Sequence, residues 1–263
     1  MINDLTNAIW IEVRKAARSR MPRFTALGLL LLPLGIAFIM FVVKDPEFAR
    51  KVGLISTKAN LLGRSANWPS YLGLLSQAVA VVGLIFFSLM MSWVFGREFA
   101  DGTVKDLLAV PVSRVTILMA KYIVVALWCV AVTVIIIFVA FFLGIVIGLP
   151  GGTSELFVQG ITTLMITACL VIIDVLPVAC IASAGRGYLL PIGVVMLILI
   201  LANLVIIAGW GSYFPWSVPG LYTQAIGGQN SQLEPVSYLI VFITGLVGVV
   251  GTCLWWQFAD QSR

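Results

Sequence analysis

Long stretches of apolar residues without charge recur along almost the whole chain, and no other feature limits its fold so strongly. Crossing the hydrocarbon of a bilayer takes about 20 apolar residues in a helix. Residues 24–43 form one such stretch, and residues 65–96 form another. Because 61% of the 263 residues are hydrophobic and only 10% are charged, one water-soluble core cannot bury them. The sequence therefore predicts an all-α integral membrane protein.

Turn residues, interfacial aromatic residues and scattered charges divide the chain into about six membrane spans within a single domain. The predicted spans are residues 24–43, 71–96, 117–149, 157–182, 188–210 and 237–256. The first stretch follows basic residues, as the core of a signal peptide would. It is too long for that core, and no small-residue cleavage site follows it. We expect it to remain as the first membrane helix.

Residues 1–22 have the pattern of an amphipathic helix. Leu5, Ala8, Ile9, Val13 and Ala16 recur at spacings of three and four residues, and arginine and lysine gather toward the end of the segment. Such a helix is expected to lie on the cytoplasmic membrane surface, with its basic end near anionic lipid. Two roles stay open for it, which are anchoring to lipid and docking of a partner.

Composition removes several classes of function. The chain has no histidine, so it lacks the most common general base near neutral pH and the most common metal ligand. Its four cysteines, which lie in apolar stretches, have no metal-ligand spacing. The net charge of +5 does not indicate nucleic-acid binding, because basic residues beside membrane spans serve orientation and lipid contact. We therefore predict no metal site, no cofactor in this chain and no nucleic-acid partner.

The distribution of lysine and arginine predicts the orientation in the membrane. With both termini in the cytoplasm, eleven of the sixteen basic residues fall on the cytoplasmic side, and the loops after spans three and five have none. The other five lie in the first outer loop and break the rule locally: Lys44, Arg50, Lys51, Lys58 and Arg64.

Residues 97–116, between spans two and three, have the densest mixture of charges in the chain. Thr103 is expected to cap a short helix, with Asp106 bonding back to a free amide. Pro111 would end that helix, and Ser113 would cap the next one. The short helix would present apolar residues that so short a loop cannot cover: Val104, Leu107 and Leu108.

At these residues the sequence resembles a family. The run from Trp93 to Lys121 resembles the segment between the second and third helices of ABC-2 type transporter permeases. The residues that carry the resemblance are Glu98, Gly102, Thr103, Leu107, Leu108, Pro111, Ser113, Arg114 and Lys121. In size and pattern the chain is most similar to the permeases of bacitracin-resistance and lantibiotic-immunity systems.

The resemblance implies a cytoplasmic coupling helix within residues 97–116, which we term the coupling segment, that fits a cleft in a separate ATPase subunit. The residues implied in that contact are Glu98, Asp101, Gly102, Thr103, Lys105, Leu107, Leu108, Pro111, Ser113 and Arg114. It also implies two ATPase copies, and a second permease chain in a homodimer or heterodimer. ATP and magnesium would bind to the ATPase, since this chain lacks the Gly-x-x-x-x-Gly-Lys-Ser/Thr phosphate loop.

Two polar residues inside predicted spans are pathway candidates. Asp174 is an ionisable group at membrane depth, which costs about 2.5–3.5 kcal/mol on insertion scales and usually faces protein or water. It would either line a translocation path or pair with another polar residue, for which Asn203 is a candidate. The aromatic outer segment at residues 211–236 suits an interfacial belt, and the resemblance adds short re-entrant helices that close the outer end of the path.

The predicted function is the membrane subunit of an exporter in a prokaryotic plasma membrane, which moves an amphipathic peptide antibiotic or a lipid-linked molecule. Two alternatives are a sensor or scaffold with the same fold that does not transport, and a membrane enzyme that modifies lipids. The enzyme would need convergent polar groups near one interface, and the polar set in the spans is sparse.

Overall fold

A computed structural model describes residues 2–45, 65–104, 111–226 and 233–258. These residues form helices joined by turns, and no strand occurs among them. In chain order the helices are α1 (Ile2–Arg18), α2 (Met21–Lys44), α3 (Trp68–Ala100), α4 (Arg114–Ile147), α5 (Ser154–Val175), α6 (Val178–Ala184), α7 (Leu189–Ile207), α8 (Val218–Ile226) and α9 (Pro235–Phe258). Two 3-10 turns, Gly211–Tyr213 and Pro215–Ser217, precede α8.

Six helical units in the described part of the chain are long and apolar enough to cross a membrane: α2, α3, α4, α5 together with α6, α7, and α9. This confirms the predicted class and the count of six. Helix α3 begins three residues before its predicted span because the Asn67 side chain caps it, accepting the Ser70 N–H at 2.9 Å. The fourth span differs from the single helix predicted at residues 157–182. It is broken between α5 and α6, where Pro177 has no N–H to continue the helix.

Helix α3 lies at the centre of the bundle. It packs against α2, α4, α5, α6, α7 and α8, and it buries Leu75, Phe87 and Phe95 completely. The surrounding helices expose apolar side chains instead. Phe138 of α4 is 72% exposed and Ile207 of α7 is 83% exposed. Such a continuous apolar exterior suits contact with lipid.

Close helix packing depends on glycines at two places. A Cβ atom at Gly96 of α3 would lie 2.7 Å from the backbone of Gly187, which follows α6. A Cβ atom at Gly248 of α9 would lie 2.5 Å from the backbone of Pro177. Small residues let helices approach closely in lipid, where no hydrophobic effect drives them together. These contacts hold the break in span four against α9 and the turn after α6 against α3.

Lys44 and Trp68 join the first four spans at the end of the bundle where α3 begins. The Lys44 ammonium donates to the Gly148 carbonyl at 2.8 Å, so it satisfies an acceptor that the end of α4 leaves free. The Trp68 N–H donates to Pro150 O at 3.1 Å, and its ring packs edge-on against Phe157, with centroids 4.9 Å apart. Lys44, one of the five basic residues that break the charge rule, thus has a structural role.

The chain between α7 and α9 folds back along the bundle. Helix α8 packs against α3 and α5, and Val218 at its start is fully buried with Leu170. The Trp216 indole donates to the main-chain carbonyl of Asp174 at 2.9 Å. Asp174 lies about 30 Å along the axis from the start of α5, at 1.5 Å per residue. The segment therefore extends far into the bundle, as expected for a re-entrant element.

Candidate functional site

The coupling segment begins with a sharp turn at the end of α3. The Asp101 N–H bonds to Arg97 O at 2.7 Å, Gly102 has a φ of +70°, and the Thr103 N–H bonds to Glu98 O at 3.0 Å. Glycine favours this left-handed conformation because it has no Cβ atom. The turn satisfies carbonyl groups at the helix end and directs the chain away from the α3 axis.

The coupling segment ends on two capping contacts. The Ser113 hydroxyl accepts the Thr116 N–H at 3.1 Å and so caps α4, as the sequence predicts. The Arg114 guanidinium donates to the Trp256 carbonyl at 2.6 Å, near the end of α9, where carbonyl groups lack helical partners. Pro111 is exposed beside these contacts.

The middle of the segment, at residues 105–110, lies outside the described residues. Lys105, Leu107 and Leu108 belong to it, so the short helix expected there stays a prediction, as does the cap between Thr103 and Asp106. Val104, which directly precedes this stretch, is 5% exposed. The described ends therefore show how the segment is attached to the bundle.

Five charged side chains from α1, α3 and α4 meet at the end of α3, where the coupling segment begins. We term Glu12, Lys15, Arg97, Glu98 and Lys121 the ionic cluster. Lys121 Nζ lies 2.8 Å from Glu98 Oε1 and 3.5 Å from Glu12 Oε1. Lys15 Nζ lies 3.1 Å from Glu98 Oε1, and Arg97 Nη2 lies 3.0 Å from Glu12 Oε2. Two carboxylates thus tie the N-terminal helix to the end of span two and the beginning of span three.

The ionic cluster is buried and its charges are nearly balanced. Lys121 is fully buried, and Glu98 and Glu12 are 4% and 5% exposed. Burial by itself would raise the pKa of Glu12, but Lys121, Lys15 and Arg97 outweigh it and hold this pKa below its ordinary value. Burial would lower the pKa of Lys15, but Glu12 and Glu98 outweigh it and raise this pKa. Both shifts favour the charged forms.

Glu98 therefore occupies a different place from the one that the sequence suggests. It was expected among the side chains that contact an ATPase, yet its carboxylate lies inside the ionic cluster and not on the surface. Its Oε2 atom is buried without a hydrogen-bond partner among the described residues. In this position Glu98 joins the end of α3 to α1 through Lys15 and to α4 through Lys121.

Sequence reasoning missed Glu12, and it named Lys121 only as part of the run that resembles ABC-2 permeases. Both positions carried a signal. Glu12 lies three residues after Ile9 and four before Ala16, so it falls on the apolar stripe of α1. Lys121 is seven residues into α4, three and four residues beyond Leu118 and Ile117, which are both buried. A charge on a buried stripe indicates an internal partner, because an unpaired buried charge is costly.

Trp256 connects both ends of the coupling segment to spans four and six. Its carbonyl accepts from Arg114, and its ring packs against Phe99, with centroids 5.6 Å apart. Its indole N–H donates to the Ser183 hydroxyl of α6 at 2.9 Å. The side chain is fully buried. A displacement of the coupling segment would therefore act on α9 and α6 as well as on α3 and α4.

The two pathway candidates do not meet. Asp174 is fully buried, and neither carboxyl oxygen has a hydrogen-bond partner in the described part of the chain. Asn203 is exposed, and its amide donates to Leu199 O of its own helix at 2.8 Å. The suggested pairing of Asp174 with Asn203 is therefore wrong. Asp174 remains an ionisable group enclosed beside the break in span four.

The sequence matches a known family of transporter proteins. Residues 8–203 match the family model described as ABC-2 family transporter protein, a range that includes the whole ionic cluster and the coupling segment. The chain belongs to this family of transporter membrane proteins. It is thus a multi-pass membrane subunit of an ABC transporter and not an enzyme, and the family works with an ATPase.

One curated relative is similar along most of its length. The bacitracin transport permease protein BCRB of Bacillus licheniformis is 25% identical over 183 residues, which cover 69% of this chain and 87% of the relative. This similarity agrees with the resemblance to bacitracin-resistance permeases that the sequence shows.

Proposed function

We propose that this chain is the membrane-spanning subunit of an exporter, and that its coupling segment docks into a separate ATPase. Two such chains form the pathway, as a homodimer or a heterodimer, and two ATPase subunits drive its opening. ATP and magnesium are held by the ATPase. Membership of the ABC-2 family supports this assembly.

The attachment of the coupling segment carries the proposal. The segment starts beside Glu98 in the ionic cluster and ends at Arg114, which is bonded to Trp256. A segment anchored at both ends transmits a displacement to its neighbours instead of absorbing it. A movement of the docked ATPase would therefore reach α1, α3, α4 and α9 together. This is the behaviour that an exporter needs in order to convert ATP hydrolysis into opening.

The proposed orientation places both termini and the coupling segment in the cytoplasm of a prokaryotic cell. The excess of lysine and arginine on that side supports it. Helix α1 would lie along the cytoplasmic surface. It exposes Trp10 and Ile11 there, while Arg14 stacks over the Trp10 ring at 4.3 Å. An aromatic residue beside a basic one suits the headgroup region of anionic lipid.

The proposed cargo is an amphipathic molecule, either a peptide antibiotic or a lipid-linked compound. The similarity to a bacitracin transport permease favours a peptide. Such a cargo would reach the pathway from the membrane surface, because its apolar part partitions into lipid.

Co-purification of the ATPase tests the docking. Leu107→Asp places an unpaired charge in the apolar contact expected at the coupling helix, which costs a few kcal/mol. Ser154→Asp is the matched control, since Ser154 is an exposed residue at the opposite end of the bundle. We expect the wild type and Ser154→Asp to retain the ATPase and to transport, and Leu107→Asp to insert normally but lose both. Full transport and co-purification by Leu107→Asp would contradict the proposal.

A further inference from the structure

A cavity of about 370 Å³ lies between α3, α5 and α8, at the opposite end of the bundle from the coupling segment. We term it the amide pocket, because three glutamines from three different helices line it. Its polar lining comprises chiefly Gln77, Gln159, Gln224, Ser76, Thr163 and Thr223. Three elements that are distant in sequence thus place carboxamide groups around one cavity.

The glutamines supply most of the free hydrogen-bond donors of the amide pocket. Within the described ranges, the structure gives the side chains of Gln77, Gln159 and Gln224 no hydrogen bond. The hydroxyls behave differently. Thr163 donates to Gln159 O at 2.8 Å, and Thr223 donates to Gly220 O at 2.7 Å. These hydroxyls can only accept, so donation to a ligand falls to the three carboxamides and to the Ser70 hydroxyl, which also lines the pocket.

Among the residues that the structure describes, no charged side chain lines the amide pocket. A phosphate or carboxylate group bound there would lose water without gaining a counter-ion, and an ammonium group would find no carboxylate. A carboxamide offers a donor and an acceptor side by side, which matches a peptide bond or adjacent sugar hydroxyls. The lining therefore selects uncharged groups with paired donors and acceptors.

The position of the amide pocket along the bundle suits an amphipathic ligand. Helix α3 has 33 residues, so it is about 50 Å long, whereas the hydrocarbon of a bilayer is about 30 Å thick. The pocket lies within the first three turns of α3 and α5. We infer from the excess length of α3 that these turns approach one membrane surface. Leu156 and Ile226 also line it and are partly exposed, so an apolar part can continue from them toward lipid.

We propose that the amide pocket binds the uncharged hydrogen-bonding part of an amphipathic molecule, either peptide main-chain amides or sugar hydroxyls, while the apolar part stays in the bilayer. The proposal rests on the proposed function in that this molecule would be the cargo. It adds the place where the cargo is recognised and the chemistry that recognises it.

Binding to the full chain in lipid nanodiscs, without ATPase or ATP, tests the proposal. Three fluorescently labelled probes share a dodecyl tail and differ in the head: a neutral tripeptide amide, maltose and phosphate. Empty nanodiscs give the partition background that the shared tail produces. We expect the peptide or the maltoside to bind above this background and the phosphate not to bind. Binding of only one neutral probe identifies the source of the recognised group.

Single substitutions locate the binding. Gln77→Leu and Gln224→Leu should each weaken binding of the neutral probe about 2- to 10-fold, the loss expected for one or two neutral hydrogen bonds. Gln257→Leu, on exposed α9 surface at the other end of the bundle, is the matched control and should leave binding unchanged. Gln77→Met replaces Gln77→Leu should the latter not fold.

Equal binding of all three probes, or wild-type affinity in both glutamine variants, would overturn the proposal. This result is distinguishable from failure of the proposed function, because the nanodiscs contain no ATPase. If the wild-type chain binds the probes selectively but does not co-purify with the ATPase, the exporter proposal is contradicted and the amide-pocket proposal is retained. Intact co-purification with unselective binding would do the reverse.

Discussion

Removal of the Glu98 charge should destabilise the protein strongly, because it leaves Lys121 fully buried with Glu12 at 3.5 Å as its remaining carboxylate. Glu98→Gln keeps the size of the side chain and removes only the charge. Breaking a buried ion pair from one side costs about 3–5 kcal/mol. At roughly 2–4 °C per kcal/mol for a chain of this size, the Tm should fall by about 10 °C.

Removal of the other member of the pair, Lys121, should lower the free energy of unfolding less, because the charges that remain are balanced. Lys121→Met leaves two carboxylates facing Lys15 and Arg97, so the remaining charges balance. The double variant, Glu98→Gln with Lys121→Met, removes the pair as a unit. Its loss should be smaller than the sum of the two single losses by about 1–3 kcal/mol, the coupling expected for residues in one ionic network.

The measurement is thermal stability of the purified chain in detergent, followed as the monodisperse fraction after heating. Asp101→Asn is the matched control, since Asp101 is an exposed carboxylate three residues from Glu98. It should change the Tm by no more than about 1 °C, as surface substitutions usually do. Additive losses in the double variant, or a Glu98→Gln shift no larger than that of Asp101→Asn, would refute the buried ionic cluster.

Three further predictions concern pH, topology and the buried carboxyl group. The pKa of Glu12 lies below its ordinary 4.5, so this carboxylate contributes stability above pH 4.5 that is lost as pH falls through the lowered pKa. The difference in Tm between the wild type and Glu12→Gln should therefore disappear only below pH 4.5. A difference that disappears between pH 7 and 5 would contradict this. Single cysteines replacing Ser154 and Gln229 should react with a membrane-impermeant reagent in intact cells, whereas Lys105→Cys should react only after lysis; reaction of Lys105→Cys in intact cells would reverse the topology. Asp174→Asn should fold and express as the wild type, because the asparagine side chain has nearly the same size and removes a buried ionisable group. It should change the cargo-dependent ATPase rate, and an unchanged rate would assign Asp174 to packing alone.

The apolar length of each span made the six membrane helices predictable, because bilayer thickness fixes how long an apolar stretch must be. The restart of the chain at Ser113 was equally local, since a capping residue acts on an amide three positions away. Pro177 is visible in the sequence, but a proline can kink a membrane helix as well as end one. The sequence alone therefore does not predict the break, which lies where Gly248 packs closely against Pro177.

The ionic cluster could not be predicted from the sequence, because it depends on how the helices pack. Glu12 and Glu98 are far apart in the chain, and only the packing of α1 and α3 against α4 brings their carboxylates to the same lysine. Counting charges by loop treats each of them as solvated and therefore misses the pairing. The suggested contact between Asp174 and Asn203 failed for a related reason. Helix phase decides which side of a span a residue faces, and Asn203 faces outward.

The rate of ATP hydrolysis by the permease–ATPase complex in lipid tests the exporter function most directly. The account predicts that an amphipathic peptide or lipid-linked cargo changes this rate several-fold in the wild-type complex. It also predicts that Leu107→Asp abolishes the response, because the docking contact is lost. A rate that is the same with and without cargo, in a complex that retains its ATPase, would contradict the exporter function and favour a sensor or scaffold.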